Sequence, residues 1–279
     1  MAKDLYEENK ELKRVLYNIE KAILDFRLTQ LDLPLEKVNI PSLGLPQPVS
    51  YTCSCNNGEG CSCDEEKEVL REQIAALTAK LNGANAELDT FKKKEHEKRV
   101  EEAKAKMLEL IGNEKKTVGY GGSMTLDENG FKDSVTAAGH ELIIRENYKT
   151  PEEEKELKSK LTNADFFLMS TNAITLDGEL VNIDGRGNRV SYLIYGPDNV
   201  IVIAGMNKVV STVEDGYRRI RNIATPPNCN RLDCKTPCAT TGKCGECFTD
   251  SICCEFVTTR MSRVPNRIKV ILVGETLGY

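Results

Sequence analysis

The stretches Ala164-Asp165-Phe166-Phe167-Leu168-Met169-Ser170 and Val200-Ile201-Val202-Ile203-Ala204 decide the fold that this sequence predicts. Each contains a run of consecutive apolar residues without polar alternation, which is typical of a strand buried on both faces. Helical patterns occur nearby, at residues 152–161 before the first run and 213–223 after the second. Buried strands separated by helices predict an α/β fold with a parallel or mixed sheet and flanking helices.

Two heptad patterns precede this region. Apolar residues recur in steps of four and three over residues 5–30 and again over residues 70–91, as in the seam of a coiled coil. We therefore predict a coiled-coil helical segment at 1–95 with a cysteine-bearing loop at 31–64. The α/β domain is predicted at 96–279, with a cysteine-rich insertion at 226–255. The helices could pair as a hairpin or with a second chain, and the first could instead pack on its own globular domain.

The chain has 11 cysteines, which fall in two clusters with none between Cys63 and Cys229. In a reducing compartment, clustered cysteines indicate metal ligation rather than disulfides. The second cluster has the spacing Cys238-x5-Cys244-x2-Cys247-x5-Cys253, and four thiolates suit structural zinc or a [4Fe–4S] cluster. Spacing alone leaves both metals open. The candidate ligands of the first cluster form two Cys-x-Cys units, for which a soft metal or a cluster is again expected: Cys53, Cys55, Cys61 and Cys63.

A glycine-rich turn at residues 119–125 is the first candidate binding segment. It follows a predicted strand and precedes a predicted helix, so its backbone N–H groups can approach an anion. We expect Gly121, Gly122, Ser123 and Thr125 to hold a small molecule that bears a phosphate or a carboxylate. The alternative is a tight turn that binds nothing.

Polar residues crowd the segment 171–189, which follows a predicted buried strand and so emerges at the carboxyl edge of the sheet, where α/β proteins bind ligands. Asp177-Gly178 predicts a hairpin turn there. We take Asn172, Asp184 and Arg189 as candidate catalytic residues on the wall opposite the glycine-rich turn. The alternative is structural, because Asn and Asp favour turns for local reasons.

Charge and hydropathy exclude several classes of protein. The net charge is −5, without the basic excess that is typical of nucleic-acid binding. No run approaches the eighteen or so apolar residues that a membrane span needs. The N-terminus has no apolar signal-peptide core, so we expect a cytoplasmic protein with neither nucleic acid nor membrane as a partner.

From about Arg99 to Tyr279 the sequence resembles the LUD (lactate-utilisation, DUF162) domain family. Several long motifs carry the resemblance, in the family's order: 121–126 (GGSMTL), 171–175 (TNAIT), Asp177-Gly178, 180–182 (LVN), Asp184-Gly185, 187–190 (GNRV) and 271–279 (ILVGETLGY). The chain is similar to small clostridial-type members, which share a segment like Thr236-Pro237-Cys238 and a run like Gly242-Lys243-Cys244-x-x-Cys247.

The resemblance implies the fold shared by CoA transferases and sugar-phosphate isomerases, and a role in anaerobic oxidation of lactate beside iron–sulfur partners. Our leading hypothesis is therefore an iron–sulfur or other metal–thiolate protein that acts on a small anionic hydroxy or keto acid. Whether it is an oxidoreductase or another iron–sulfur-dependent enzyme stays open. The N-terminal helices would form a homodimer or bind a redox partner. The rival hypothesis is a non-catalytic assembly or sensor protein with structural zinc, and a third is a CoA or sugar-phosphate transferase or isomerase.

Overall fold

The computed structural model describes residues 62–144 and 148–279, and within 62–84 it describes side chains only at 79, 82 and 83. The first heptad pattern and Cys53, Cys55 and Cys61 lie outside the described residues. Residues His96–Tyr279 form one compact unit. No described helix is both long and apolar enough to cross a membrane.

The described residues form the following elements. The strands are β1 (Thr117–Tyr120), β2 (Glu141–Leu142), β3 (Phe166–Met169), β4 (Ala173–Thr175), β5 (Leu180–Asp184), β6 (Val200–Gly205), β7 (Val209–Val210), β8 (Glu255–Thr259) and β9 (Ile268–Val273). The helices are α1 (Ser62–Ile111), α2 (Met124–Glu128), α3 (Phe131–Ala137), α4 (Pro151–Thr162), α5 (Asn188–Tyr195), α6 (Val213–Arg219), α7 (Thr225–Arg231) and α8 (Pro237–Thr241). Met206–Lys208 is a 3₁₀ turn and Ile220–Ala224 a π-helical turn.

Sheet A has five strands in the order β2-β1-β3-β6-β9, and every neighbouring pair is parallel. Its central strands β3 and β6 are buried at every residue, as their unbroken apolar runs require. Helix α1 buries the stripe Val100, Ala103, Met107 and Ile111 in the core cluster that includes Val118. The predicted α/β fold with a parallel sheet and flanking helices is confirmed.

Sheet B has four strands in the order β7-β4-β5-β8. Strands β4 and β5 pair antiparallel around Asp177-Gly178, where Gly178 has φ +85°, so the predicted hairpin is confirmed. Strand β7 lies parallel to β4, and β8 antiparallel to β5. The chain alternates between the two sheets, so the residues that join β3 to β4 and β6 to β7 lie beside the carboxyl ends of sheet A.

Two features differ from the sequence pattern. A single helix, α1, runs from Ser62 to Ile111, although the heptad phase fails across Lys92-Lys93-Lys94. Loss of the heptad phase interrupts the apolar stripe that a coiled coil needs, but it breaks no backbone hydrogen bonds. The helix can therefore continue through this segment. The helix also includes Cys63, which was predicted to lie in the loop. The acidic residues at 64–66 favour a helix start there, because they complement the dipole at its N-terminus.

Candidate functional site

Arg189, in the first turn of α5, is the centre of a buried polar network. Its Nη1 donates to the carbonyl of Ser170 (3.1 Å) and to Oδ1 of Asn182 (2.6 Å). Its Nη2 donates to Oδ1 of Asn172 (2.9 Å) and to the carbonyl of Ile183 (3.1 Å). The guanidinium therefore joins the loop after β3 to strand β5, and both terminal nitrogens are fully used within the protein.

Asp184 completes the network and also orders the start of α5. Its Oδ2 lies 3.7 Å from Nε of Arg189 and accepts from the backbone N–H of Val190 (3.3 Å). Its Oδ1 accepts from the backbone N–H of Arg186 (3.3 Å). Burial lowers the pKa of Arg189, and the Asp184 carboxylate opposes that shift. The predicted catalytic residues Asn172, Asp184 and Arg189 thus lie together, each hydrogen-bonded to protein groups.

Asn182 is a fully buried member of this network. Its Oδ1 accepts from Arg189 and from the backbone N–H of Asn172 (3.3 Å), whereas the Thr171 hydroxyl has its closest acceptor in the carbonyl of Ala173 (2.8 Å). Its Nδ2 is buried and has no hydrogen-bond partner among the described residues. The two N–H donors fix the position of the amide oxygen, so the unpaired Nδ2 belongs to the network as built.

The glycine-rich turn packs against the same network. A Cβ at Gly121 would lie 2.9 Å from Cγ of Arg189, so the absence of a side chain lets the arginine stem pass. Gly122 is exposed, and Ser123 caps α2 by accepting from the backbone N–H of Leu126 at 3.4 Å. The structure therefore places Gly121 and Ser123 where they have packing and capping roles.

A residue that the sequence analysis missed, Lys208, lies beside the fourth predicted binding residue, Thr125. Lys208 ends the 3₁₀ turn after β6 and is 4% exposed. Its Nζ donates to the hydroxyls of Thr125 (2.8 Å) and Ser170 (2.9 Å). Those hydroxyls donate in turn to the carbonyls of Leu277 (3.0 Å) and Thr171 (3.2 Å). The amine is therefore held at the carboxyl edge of sheet A by groups that follow β1, β3, β6 and β9.

The charge around Lys208 is unbalanced. Burial is the main cause that lowers its pKa to about 7, and the nearby cations Arg219 and Arg189 lower it further, opposed only weakly by Glu128. No carboxylate of the described residues forms a salt bridge with Lys208. Among the carboxylates of the described residues, Asp184 alone forms a salt bridge with any of these three cations, and its partner is Arg189.

Arg219, at the end of α6, is the other missed cation. Its Nε donates to the carbonyl of Asn207 (2.9 Å) and its Nη1 to the carbonyl of Asn172 (2.8 Å). Burial lowers its pKa. Its Nη2 makes no hydrogen bond within the described ranges, so this guanidinium keeps donors that a ligand can use. The acceptors that contact Arg219 and Lys208 are neutral carbonyl and hydroxyl groups. The site therefore keeps a net positive charge, which favours binding of an anion.

Residues 275–279 pack over the Lys208 site. Leu277 is buried, and Nδ2 of Asn207 donates to the carbonyl of Gly278 (3.0 Å). Gly278 has φ +58°, and a Cβ there would lie 2.9 Å from both the backbone N and Oγ1 of Thr125. The left-handed backbone and the close approach both require glycine at this position.

The C-terminal cysteines form a second cluster. All seven cysteines from Cys229 to Cys254 are free thiols. Burial raises the pKa of Cys253, and the thiols of Cys238, Cys244 and Cys247 raise it further. The described side chains contain no group of three or more His, Cys, Asp or Glu arranged as metal ligands. The predicted metal site therefore stays a prediction.

The cysteine segment lies against the structures that hold the buried cations. The backbone N–H of Cys254 donates to the carbonyl of Asp184 (3.0 Å). The backbone N–H of Cys244 donates to Oδ1 of Asn222 (3.3 Å), and Oγ1 of Thr225 lies 3.7 Å from Sγ of Cys253. Arg219, Asn222 and Thr225 lie on consecutive helical turns from Val213 to Arg231. These turns therefore contact both the cysteine segment and the Lys208 site.

The π-helical turn in this segment has a clear cause. Pro226 and Pro227 lack the N–H groups that an α-helix needs four residues after Asn222 and Ile223. The backbone widens to i→i+5 bonding over Ile220–Ala224, immediately before the two prolines. This turn carries Asn222 towards the cysteine segment.

An open groove of about 870 Å³ lies at the other edge of sheet A. Its lining includes Ala164, Asp198 and Ile268, which lie at the amino ends of β3, β6 and β9. Arg267 is the buried cation that lines it, and its guanidinium donates to the carbonyls of Leu193 and Tyr192. The groove is therefore separate from the buried cations at the carboxyl edge.

A parallel α/β sheet with polar and charged groups gathered at its carboxyl edge is the architecture of ligand-binding α/β proteins. The LUD domain family model matches residues 93–273, and the chain belongs to that family. Among solved structures, the chain is similar to a DUF162 family protein from Deinococcus radiodurans, with 17% identity, 62% of this chain and 83% of that chain covered, and a TM-score of 0.36. It is also similar to ribose 5-phosphate isomerase A from Neisseria gonorrhoeae, with 15% identity, 42% and 54% covered, and a TM-score of 0.27. No curated protein matches the chain.

Proposed function

We propose that this LUD-domain protein binds a small anionic hydroxy or keto acid at the carboxyl edge of sheet A, next to a metal–thiolate centre. The observation that carries the proposal is the unbalanced buried charge of Lys208 and Arg219, which only neutral protein groups contact. A buried cation without a carboxylate partner is costly, and a bound carboxylate or phosphate removes that cost.

The site residues divide into two roles in this proposal. Lys208 and Arg219 supply the charge and the unused donors for the anion. Arg189, Asn172 and Asp184 hold the loops around it, because their polar groups already bind one another. Gly121, Gly122, Ser123 and Thr125 form the turn beside it, and Thr125 reaches the ligand site through its bond to Lys208.

Ligand-induced stabilisation tests the anion site. We expect lactate, pyruvate or phosphate to raise the stability of the wild type, by about 2.7 kcal/mol when the ligand is at a hundred times its Kd. The substitution Lys208→Met should abolish that increase. Lys269→Met is the matched control, since Lys269 is also partly buried but binds Asn199 and Asn266 at the start of β9. Equal stabilisation of wild type and Lys208→Met would contradict the site assignment.

The second part of the proposal concerns the thiols. Cys238, Cys244, Cys247 and Cys253 would hold the metal, because four thiolates at this sequence spacing without histidine fit zinc or a [4Fe–4S] cluster. A [4Fe–4S] cluster would supply one-electron transfer or a Lewis acid, and zinc would supply a structural cross-link. The contacts of Cys254 with Asp184 and of Cys244 with Asn222 support a redox role, because Asp184 also lies beside Arg189 and Asn222 lies three residues after Arg219.

Metal and sulfide analysis of anaerobically purified protein, with a visible spectrum, tests the thiol centre. Iron with matching acid-labile sulfide would support a redox protein, whereas colourless protein with zinc would support the non-catalytic rival with structural zinc. Cys244→Ser should lower the metal content, and Cys254→Ser is the control because Cys254 is exposed and outside the proposed ligand set. A metal content of zero in the wild type would contradict the centre.

A further inference from the structure

We propose that Lys208 is a nucleophile that forms an imine with the carbonyl carbon of a 2-keto acid. The inference rests on the proposed anion site and narrows its ligand from small acids in general to keto acids. It assigns a covalent role to a lysine that no motif of the sequence indicated.

The hydrogen-bonding pattern at Nζ of Lys208 leaves room for a nucleophilic lone pair. The hydroxyl hydrogens of Thr125 and Ser170 are engaged by the carbonyls of Leu277 and Thr171, so both hydroxyl oxygens act as acceptors towards Lys208. A neutral amine has two N–H donors and one lone pair. The two donors match the two hydroxyl oxygens, which leaves the lone pair without a hydrogen-bond donor. One position of Nζ therefore has no protein partner: it is an N–H donor for an anion when the amine is protonated, and a free lone pair when the amine is neutral.

The charged groups around Lys208 differ from those around Arg189. Arg189 has a carboxylate beside it and retains its charge, whereas Lys208 faces two cations and two hydroxyls. Burial and the neighbouring cations Arg219 and Arg189 bring the pKa of Lys208 to about 7, so a large share of the amine is unprotonated near neutral pH. Burial beside other cations is the way in which proteins activate lysine amines for Schiff-base chemistry.

Arg219 can hold the carboxylate of the substrate. Arg219 keeps its Nη2 donors and lies close enough to Lys208 to shift its pKa. A guanidinium recognises a carboxylate through paired N–H donors. A 2-keto acid has a carbonyl carbon next to its carboxylate, so one molecule can satisfy Arg219 and present its carbonyl to Lys208. A hydroxy acid satisfies only the arginine.

The step balances without an oxidant or a reductant. The lone pair of Nζ adds to the carbonyl carbon, and one proton moves from the nitrogen to the carbonyl oxygen to give a carbinolamine. The carbon–oxygen bond then breaks and the oxygen leaves as water, with its second hydrogen drawn from the nitrogen. The product is an imine between Lys208 and the keto acid, with one water released and no change in oxidation state.

Borohydride trapping tests the inference. Full-length protein is incubated with pyruvate and sodium cyanoborohydride, digested and analysed by mass spectrometry. We expect one N-(1-carboxyethyl) group on Lys208 and none on Lys269, which serves as an internal control in the same digest. L-lactate should give no adduct, because it has no carbonyl carbon to trap. Labelling spread over exposed lysines with Lys208 unmodified would overturn the inference.

Pyruvate binding by the wild type, measured by titration without a reductant, separates this inference from the proposed function. Binding together with an adduct confined to Lys208 supports the inference. Pyruvate binding by the wild type without any adduct overturns the nucleophile and leaves the anion site standing. Absence of pyruvate binding by the wild type overturns both.

Discussion

Two buried cations at the same sheet edge have opposite surroundings. Arg189 meets an oxygen acceptor from each of its three nitrogens, including the carboxylate of Asp184 at 3.7 Å. Lys208 meets two hydroxyls and faces two further cations. A cation whose nitrogens all have oxygen partners stabilises the structure, because its removal would take a hydrogen-bond donor from each of those oxygens. A cation that faces other cations is costly to keep without a ligand, so its retention points to function.

Removal of Arg189 should have the largest effect on this comparison. Arg189→Ala removes the cation beside the Asp184 carboxylate and one of the donors to each buried amide oxygen of Asn172 and Asn182. We expect a loss of about 3–5 kcal/mol in the free energy of unfolding, as measured by urea denaturation. Arg186→Ala is the control, because the Arg186 side chain is 73% exposed and its ion pair with Glu154 should contribute at most about 1 kcal/mol. Equal losses of unfolding free energy in the two variants would mean that the buried Arg189 contributes no more to stability than the exposed Arg186.

The strands of this fold could be predicted because their signals are local. The apolar run at 200–204 matches β6, and Asp177-Gly178 matches the turn between β4 and β5. Strand β8 was missed, since Glu255–Thr259 is the half-exposed edge of sheet B and follows a cysteine-rich segment. Edge strands lack the continuous burial that makes a central strand visible in a sequence.

The candidate site was predictable only in part. The Gly121 turn and the polar residues 171–189 were expected to face one another, and Gly121 does lie against Arg189. The prediction that these residues bind a ligand stays a prediction. Lys208 was missed because its environment is made by residues 83 and 38 positions away, Thr125 and Ser170. A lysine that follows a buried strand gives the one local signal, since the carboxyl ends of parallel strands are where ligands bind.

The pH dependence of stability should separate the two cations next. The pKa of Lys208 falls from 10.5 to about 7 on folding, so between these values the unfolded chain binds a proton that the folded chain does not. Stability from this group therefore rises with pH across that window, by at most about 1.4 kcal/mol per pH unit. Below pH 7 both states are protonated and the full cost of the buried charge remains.

The measurement is the difference in unfolding free energy between Lys208→Met and the wild type, from urea denaturation at several pH values. The advantage of the methionine variant should be largest below pH 7 and should shrink as the pH rises towards 10.5. Lys158→Met is the control for loss of a lysine charge, because the Lys158 side chain is 60% exposed. A difference that does not vary with pH would mean that Lys208 keeps an ordinary lysine pKa in the folded protein.

The smallest effect should come from Gly278, which contacts the Lys208 site without belonging to it. In Gly278→Ala a Cβ meets the backbone N and Oγ1 of Thr125 at 2.9 Å, and the backbone keeps φ +58°. Strain of this kind costs about 1–2 kcal/mol per residue. Because Thr125 accepts a hydrogen bond from Lys208, its displacement should also weaken anion binding, as measured by titration with pyruvate.

Gly139→Ala is the matched control for Gly278→Ala. Gly139 also has a positive φ, +87°, but a Cβ there meets nothing within 4 Å, so this variant carries the backbone strain without the contact. We expect it to lose stability while it binds pyruvate like the wild type. Weakened binding in Gly278→Ala alone would show that residues 275–279 help to position the hydroxyl of Thr125 for Lys208. Unchanged binding in both variants would mean that the amine tolerates movement of its acceptor, and the proposed match between two hydroxyl oxygens and a neutral amine would then lose its support.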